Sequence, residues 1–273
     1  MLRPALFALS VALLNGSPQT PTIADHFEVG RVRLELDGVD RSLPYRLLRP
    51  ESADRSNPLP LLVFLHGAGE RGDDNELQLR HFPERWIREP HLRERHEAFL
   101  LAVQCPQGGY WAQVEHDAQG RWLTVADPEP TDSMAAVEAL LRDLAQDPAV
   151  DRRRIYVTGL SMGGFGTWDL IARHPEWFAA ALPICGGGHP NLGPGLAESG
   201  LPIWAFHGSA DDVVPPEMSR DLVAAIRSNG GSVGYTELRG VAHDSWRFAY
   251  GPTGGVEWLF AQAREEPAVI PPR

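Results

Sequence analysis

The stretch Ile155-Tyr156-Val157-Thr158-Gly159-Leu160-Ser161-Met162-Gly163 constrains this chain more than any other. A short apolar, β-branched run meets Gly-x-Ser-x-Gly, and a helix-like pattern follows at once. The spacing predicts a sharp strand-to-helix turn with Ser161 at its apex. A serine there must take a strained backbone conformation, so the residues two before and two after it come too close for a Cβ. The strain pushes Oγ outward, and the following helix aims amide N–H groups at charge developing beside it. Glycine is frequent in this chain, with 27 residues, so the motif gains weight only if partners for Ser161 exist elsewhere.

Hydrophobic patterning supplies the frame. Phe27 to Leu36 alternates apolar and polar residues, Asp37-Gly38 marks a turn, and Leu43 to Leu48 reads as the hairpin partner. Leu61 to Leu65, Phe99 to Val103, Ile155 to Val157 and Ala179 to Ile184 are continuous apolar runs, which suit strands buried on both faces of a parallel sheet. Ile203 to Phe206 and Val233 to Leu238 bring the candidates to eight. Helical patterns fall at Met134 to Ala145, Met162 to Arg173, Pro216 to Ser228 and Val256 to Arg264. The fold class expected is α/β: a mostly parallel eight-stranded sheet with helices on both faces. Residues 24–264 form one domain in this reading, and the Pro-rich tail 265–273 is loose. Two irregular insertions, Arg71 to His96 and Pro106 to Pro130, leave carboxyl ends of strands, where open α/β sheets place ligands.

Composition narrows the chemistry. With 36 acidic against 25 basic residues the formal charge is −11, which argues against nucleic acid or an anionic membrane surface as partner. Only Cys105 and Cys185 occur, so a disulfide-dense scaffold and a Cys-rich zinc site are excluded; two free, partly buried thiols are expected. Arg3 followed by the nearly apolar run Pro4 to Leu14 reads as a signal peptide within residues 1–20, which implies a secreted or periplasmic protein. That run is too short for a stable membrane span, and no later stretch is apolar for long enough.

A serine hydroxyl is a weak nucleophile at neutral pH and needs a base, an orienting acid and an oxyanion site. Asp211 and Asp212 follow the strand Ile203 to Phe206, and His243 lies between the last strand and the closing helix. The order Ser, Asp, His along the chain is that of one known arrangement of such groups. Asp211 is favoured as the acid, with Asp212 the alternative. Small residues in His66-Gly67-Ala68-Gly69, after Leu61 to Leu65, let a backbone N–H face the elbow. The amides of Met162 and Ala68 are therefore the candidate oxyanion donors, with Gly69 as alternative to Ala68. Gln107 and Trp111, in the second insertion, are candidates for the substrate pocket. His66 and His207 each precede glycine at a strand end and read as structural hydrogen-bonding residues. No spacing suggests a metal site, and no cofactor is expected.

These segments together resemble the α/β-hydrolase superfamily, and within it the esterase and predicted-peptidase group related to feruloyl esterases, polyhydroxybutyrate depolymerases and prolyl oligopeptidase-like hydrolases. The matching residues are His66-Gly67-Ala68-Gly69-Glu70-Arg71-Gly72, Pro106-Gln107, Asp151 to Trp168, His207-Gly208 with Asp211 and Val214-Pro215, and His243-Asp244-Ser245-Trp246. They spread over roughly Val29 to Phe260. The resemblance implies an α/β-hydrolase fold and a triad of Ser161, Asp211 and His243. It implies a serine hydrolase acting on a small-molecule or polysaccharide-linked carboxylic ester. A serine peptidase and a non-catalytic binding protein on the same scaffold are the alternatives.

Overall fold

The structure is a computed structural model that describes residues 21–116, 118, 122–126, 128–251 and 253–273. The signal-peptide reading falls on residues 1–20 and lies outside the described residues, as does the side chain of Trp122.

Eight strands form one sheet: β1 (Glu28–Leu36), β2 (Val39–Leu48), β3 (Leu59–Leu65), β4 (Phe99–Val103), β5 (Val150–Leu160), β6 (Ala180–Ile184), β7 (Trp204–Gly208) and β8 (Gly234–Leu238). Their spatial order is β1-β2-β4-β3-β5-β6-β7-β8. β1 pairs antiparallel with β2 and β2 antiparallel with β4, while every later pairing is parallel. The expected mostly parallel, eight-stranded α/β sheet is what the chain forms.

The continuous apolar runs are continuous because both faces are covered. Along β3, Leu61, Val63 and Leu65 enter one core while Leu62 and Phe64 enter the other, and all five are fully buried. β4 divides the same way, Phe99, Leu101 and Val103 against Leu100 and Ala102. Each such side chain contributes about 1.5–3 kcal/mol of burial free energy.

On the first face lie α3 (Asp132–Leu144), α4 (Met162–Arg173), α5 (Gly193–Ser199) and α6 (Glu217–Ser228), through Met134, Val137, Trp168, Ile171, Leu196, Leu222 and Ile226. On the second lie α1 (Phe82–Arg88), α2 (Pro90–Arg95), α7 (Trp246–Ala249) and α8 (Gly255–Phe260), through Phe82, Trp86, Leu92, Ala249, Val256 and Leu259. Among the described residues, no helix is long and apolar enough to cross a membrane.

Three regions differ from the sequence reading. The insertion 71–96 is ordered by α1 and α2, both under eight residues, with Pro83 and Pro90 in their first turns. The second insertion carries a two-stranded hairpin, Val114–His116 with Trp122–Thr124. The tail 265–273 is docked, not loose. Ala268 and Ile270 are buried, the Ala268 N–H donates to Arg152 O, and Arg273 pairs with Asp143 on α3. Two alternating apolar residues suffice to seat it, a signal too short to stand out among prolines.

Candidate active site

Ser161, the oxyanion loop, the acid and the histidine all leave carboxyl ends of strands, at β5, β3, β7 and β8 respectively. Ser161 has φ 56° and ψ −120°, a left-handed conformation that costs a non-glycine residue energy. The flanking glycines make it possible. A Cβ on Gly163 would lie 1.9 Å from Leu65 O, and one on Gly159 would lie 2.3 Å from Gly163 O. The Ser161 N–H donates to Ile184 O on β6, and Ser161 O accepts from the N–H groups of Gly164 and Phe165 to begin α4.

The acid loop and the histidine loop are joined by backbone hydrogen bonds. The Ser209 N–H donates to Leu238 O, the Ala210 N–H to Val241 O, and the Gly240 N–H to Ser209 Oγ. They pass so closely at Gly208 that a Cβ there would lie 2.3 Å from Val241 O. This contact sets the position of His243 relative to Asp211. His243 Nδ1 is 2.7 Å from Asp211 Oδ2, and its Nε2 is 2.8 Å from Ser161 Oγ. Because the carboxylate only accepts, Nδ1 carries the proton and Nε2 is free to accept from the serine hydroxyl.

Asp211 and Asp212 are separated by burial. Asp211 is 7% exposed, whereas Asp212 is on the surface. The second oxygen of Asp211, Oδ1, accepts from the N–H groups of Val213 and Val214. Burial alone would raise this carboxyl, but hydrogen bonds from His207, His243 and the Val214 amide outweigh it and hold the group well below the ordinary carboxylate range.

His66 anchors the loop that follows β3, where the oxyanion donors Ala68 and Gly69 are expected. Its Nε2 accepts the Cys105 N–H at 2.9 Å and its Nδ1–H donates to Gly67 O at 2.7 Å, so the ring ties the end of β3 to the end of β4. Burial pushes His66 down to about 4, so it is neutral at pH 7. The loop also lies against the elbow: a Cβ on Gly67 would meet Leu160 Cδ1 at 2.9 Å. Ala68 and Gly69 are exposed at the start of a single 3₁₀ turn, Ala68–Glu70. Among the described residues, the amides of Ala68 and Met162 have no backbone acceptor. Uncommitted N–H groups at these two positions are what the expected oxyanion site requires.

The pocket candidates do not join this cluster. Trp111 is fully buried and donates its indole N–H to His66 O at 2.9 Å; a Cβ on Gly166 would strike it at 2.4 Å. It braces the loop after β3 and, fully buried, does not wall an open pocket. Gln107 is exposed and donates to Arg71 O.

Sequence reading did not place three neighbours beside the cluster, although it read His207 as a structural hydrogen-bonding residue, as it is. His207 is fully buried, with Nε2 3.3 Å from Asp211 Oδ2 and 2.9 Å from Val214 O. Trp246 lies edge-to-face against His243, with ring centroids 5.6 Å apart. Cys185, at φ 39°, places its sulfur within 4.8 Å of ligand atoms of Asp211 and His243. Both cysteines are buried and unpaired, and burial pushes the Cys185 thiol up to about 12, so it stays protonated. His207-Gly208 is visible in the sequence, but its contact with Asp211 depends on the turn between them.

A family model described as phospholipase/carboxylesterase matches residues 52–249. A bifunctional acetylxylan esterase/xylanase, XynS20E of Neocallimastix patriciarum, is 30% identical over 156 residues, covering 57% of this chain and 20% of that protein. The solved structure of a thermostable esterase is 38% identical with TM-score 0.76, covering 89% of this chain and 64% of that one. The acylaminoacyl peptidase of Pyrococcus horikoshii, at 16% identity and TM-score 0.60, covers 88% of this chain and 42% of its own; it shares the fold alone. The chain thus spans less than two thirds of each of these proteins.

Proposed function

The chain belongs to the phospholipase/carboxylesterase family, and we propose that it cleaves carboxylic esters through an acyl-enzyme on Ser161. The observation that carries the reading is the relay from Asp211 Oδ2 through His243 to Ser161 Oγ, with spacings of 2.7 and 2.8 Å, on a serine held at φ 56°. As Oγ attacks the ester carbonyl carbon, His243 Nε2 takes the hydroxyl proton. The negative charge that develops on the carbonyl oxygen is met by the Met162 and Ala68 amides. Asp211 stays ionised and stabilises the imidazolium.

When the tetrahedral adduct collapses, the C–O bond to the alcohol breaks and the leaving oxygen takes the proton from His243. A water then gives its proton to His243, attacks the acyl carbon and releases the acid, returning the proton to Ser161.

The substrate class in this reading is a small-molecule or polysaccharide-linked ester. The apolar run Pro4 to Leu14 supports export, which fractionation of cells expressing the full chain would check.

The test is turnover of short nitrophenyl esters, aryl esters, acetylated sugars and peptides by the purified chain and by Ser161→Ala. Ester turnover is expected, with kcat at least about 10⁴-fold lower in the variant. Peptide turnover exceeding ester turnover would overturn the ester assignment.

A further inference from the structure

His81 repeats the backbone conformation of the elbow serine at a place where no nucleophile is needed. Its φ of 63° and ψ of −105° lie close to the 56° and −120° of Ser161. Leu79 and Phe82 are buried on either side of it. Such strain on a non-glycine residue persists where the surroundings over-determine it, and it concentrates at working sites.

The position is close to the reacting groups. The His81 ring packs edge-to-face on Trp246 at 5.3 Å, and Trp246 packs on His243 at 5.6 Å. One indole ring therefore separates His81 from the histidine that faces Ser161. On its other side, His81 Nε2 is 3.5 Å from Oε1 of the buried Glu70, which ends the oxyanion turn. That contact engages His81 Nε2 with the Glu70 carboxylate, while among the described residues its Nδ1 has no protein hydrogen-bond partner, so Nδ1 is the atom left to a ligand hydroxyl.

His81 and Trp246 line a cleft of about 440 Å³ together with Glu84, Arg85, Arg88 and Arg247. Arg88 pairs with Glu84 at 2.7 Å and Arg85 with Glu89 at 2.9 Å. These planar donors and acceptors are largely neutralised in pairs, which disfavours a free anion, and they are too polar for a fatty chain. Hydroxyl groups beside an aromatic ring fit both conditions.

We propose that this cleft is the subsite for the alcohol side of the ester, that it takes a hydroxyl-rich, sugar-like group, and that His81 hydrogen-bonds one of those hydroxyls. The inference rests on the carboxylesterase reading above.

The test compares a methyl glycoside monoacetate with cyclohexyl acetate, two acetates of six-membered rings that differ in hydroxyl groups, on the full chain. The wild type is expected to favour the glycoside in kcat/KM. His81→Gly, which removes both the strain and the imidazole, and His81→Ala, which keeps the strain, are each expected to lower the ratio of the two kcat/KM values about tenfold, the size of one lost hydrogen bond. The wild-type ratio surviving in either variant, or both substrates falling by one factor, would overturn the proposal. Should the variants not fold, the unacetylated methyl glycoside is expected to inhibit wild-type cyclohexyl acetate hydrolysis competitively, and absence of inhibition would overturn it equally. If the wild type turns over neither acetate nor a short nitrophenyl ester, the carboxylesterase reading itself fails, and this subsite with it.

Discussion

His66 and His243 both stand just beyond a strand of the same sheet, yet their rings have opposite surroundings. Both nitrogens of His66 are occupied by backbone groups, Gly67 O and the Cys105 N–H, and the ring is fully buried. The nitrogens of His243 face two side chains, Asp211 and Ser161, and the ring is half-buried. A ring locked by main chain has no proton to trade and serves as a clamp. One set between a carboxylate and a hydroxyl can pass a proton without moving. Histidine chemistry in this molecule therefore follows the partners and not the residue type.

The largest expected effect separates these roles. His243→Ala should lower kcat/KM by at least about 10⁴-fold, since base and nucleophile act as a unit. Its melting temperature should stay within a few degrees of wild type. A loss of only tenfold would remove His243 from the base role.

The clamp should show in stability instead. With a folded-state value of about 4 against an ordinary 6.5, His66 is neutral in the fold. Between those pH values the unfolded chain binds a proton that the folded chain refuses, so stability must fall as pH drops from 6.5 towards 4. The contribution is at most about 3 kcal/mol. Urea unfolding across that window, compared with His66→Gln, measures it; an identical pH slope in the variant would contradict the clamp. Asp211 acts lower, because a depressed carboxyl stabilises the fold above its unfolded value of 3.8 and is lost only below it.

The smallest effect concerns the neighbouring acid. Asp212→Asn should change kcat/KM by no more than about twofold, because an exposed carboxylate is well screened from the triad. A loss as large as that of Asp211→Asn would reverse the choice between them.

Much of this fold is legible in the sequence. Strands buried on both faces read as unbroken apolar runs, so Leu61 to Leu65 and Phe99 to Val103 could be placed directly. Ser161, Asp211 and His243 follow a fixed chain order, and the structure brings their side chains within hydrogen-bond reach. What stayed unread depends on the turns between elements. Trp111 looked like a pocket wall because a tryptophan in an irregular insertion carries no mark of which side covers it. His81 gave no sign, since nothing in a histidine's sequence context marks a left-handed backbone. The tail looked loose because two apolar residues among prolines show no periodicity.

The central claim, that Ser161 is an activated nucleophile fed by His243, is tested most directly by covalent labelling with a fluorophosphonate and mapping of the adduct by mass spectrometry. The account expects one adduct per chain, on Ser161, and a labelling rate at least about 10³-fold slower in His243→Ala. An adduct on another residue, no adduct on folded protein, or equal labelling of wild type and His243→Ala would contradict it.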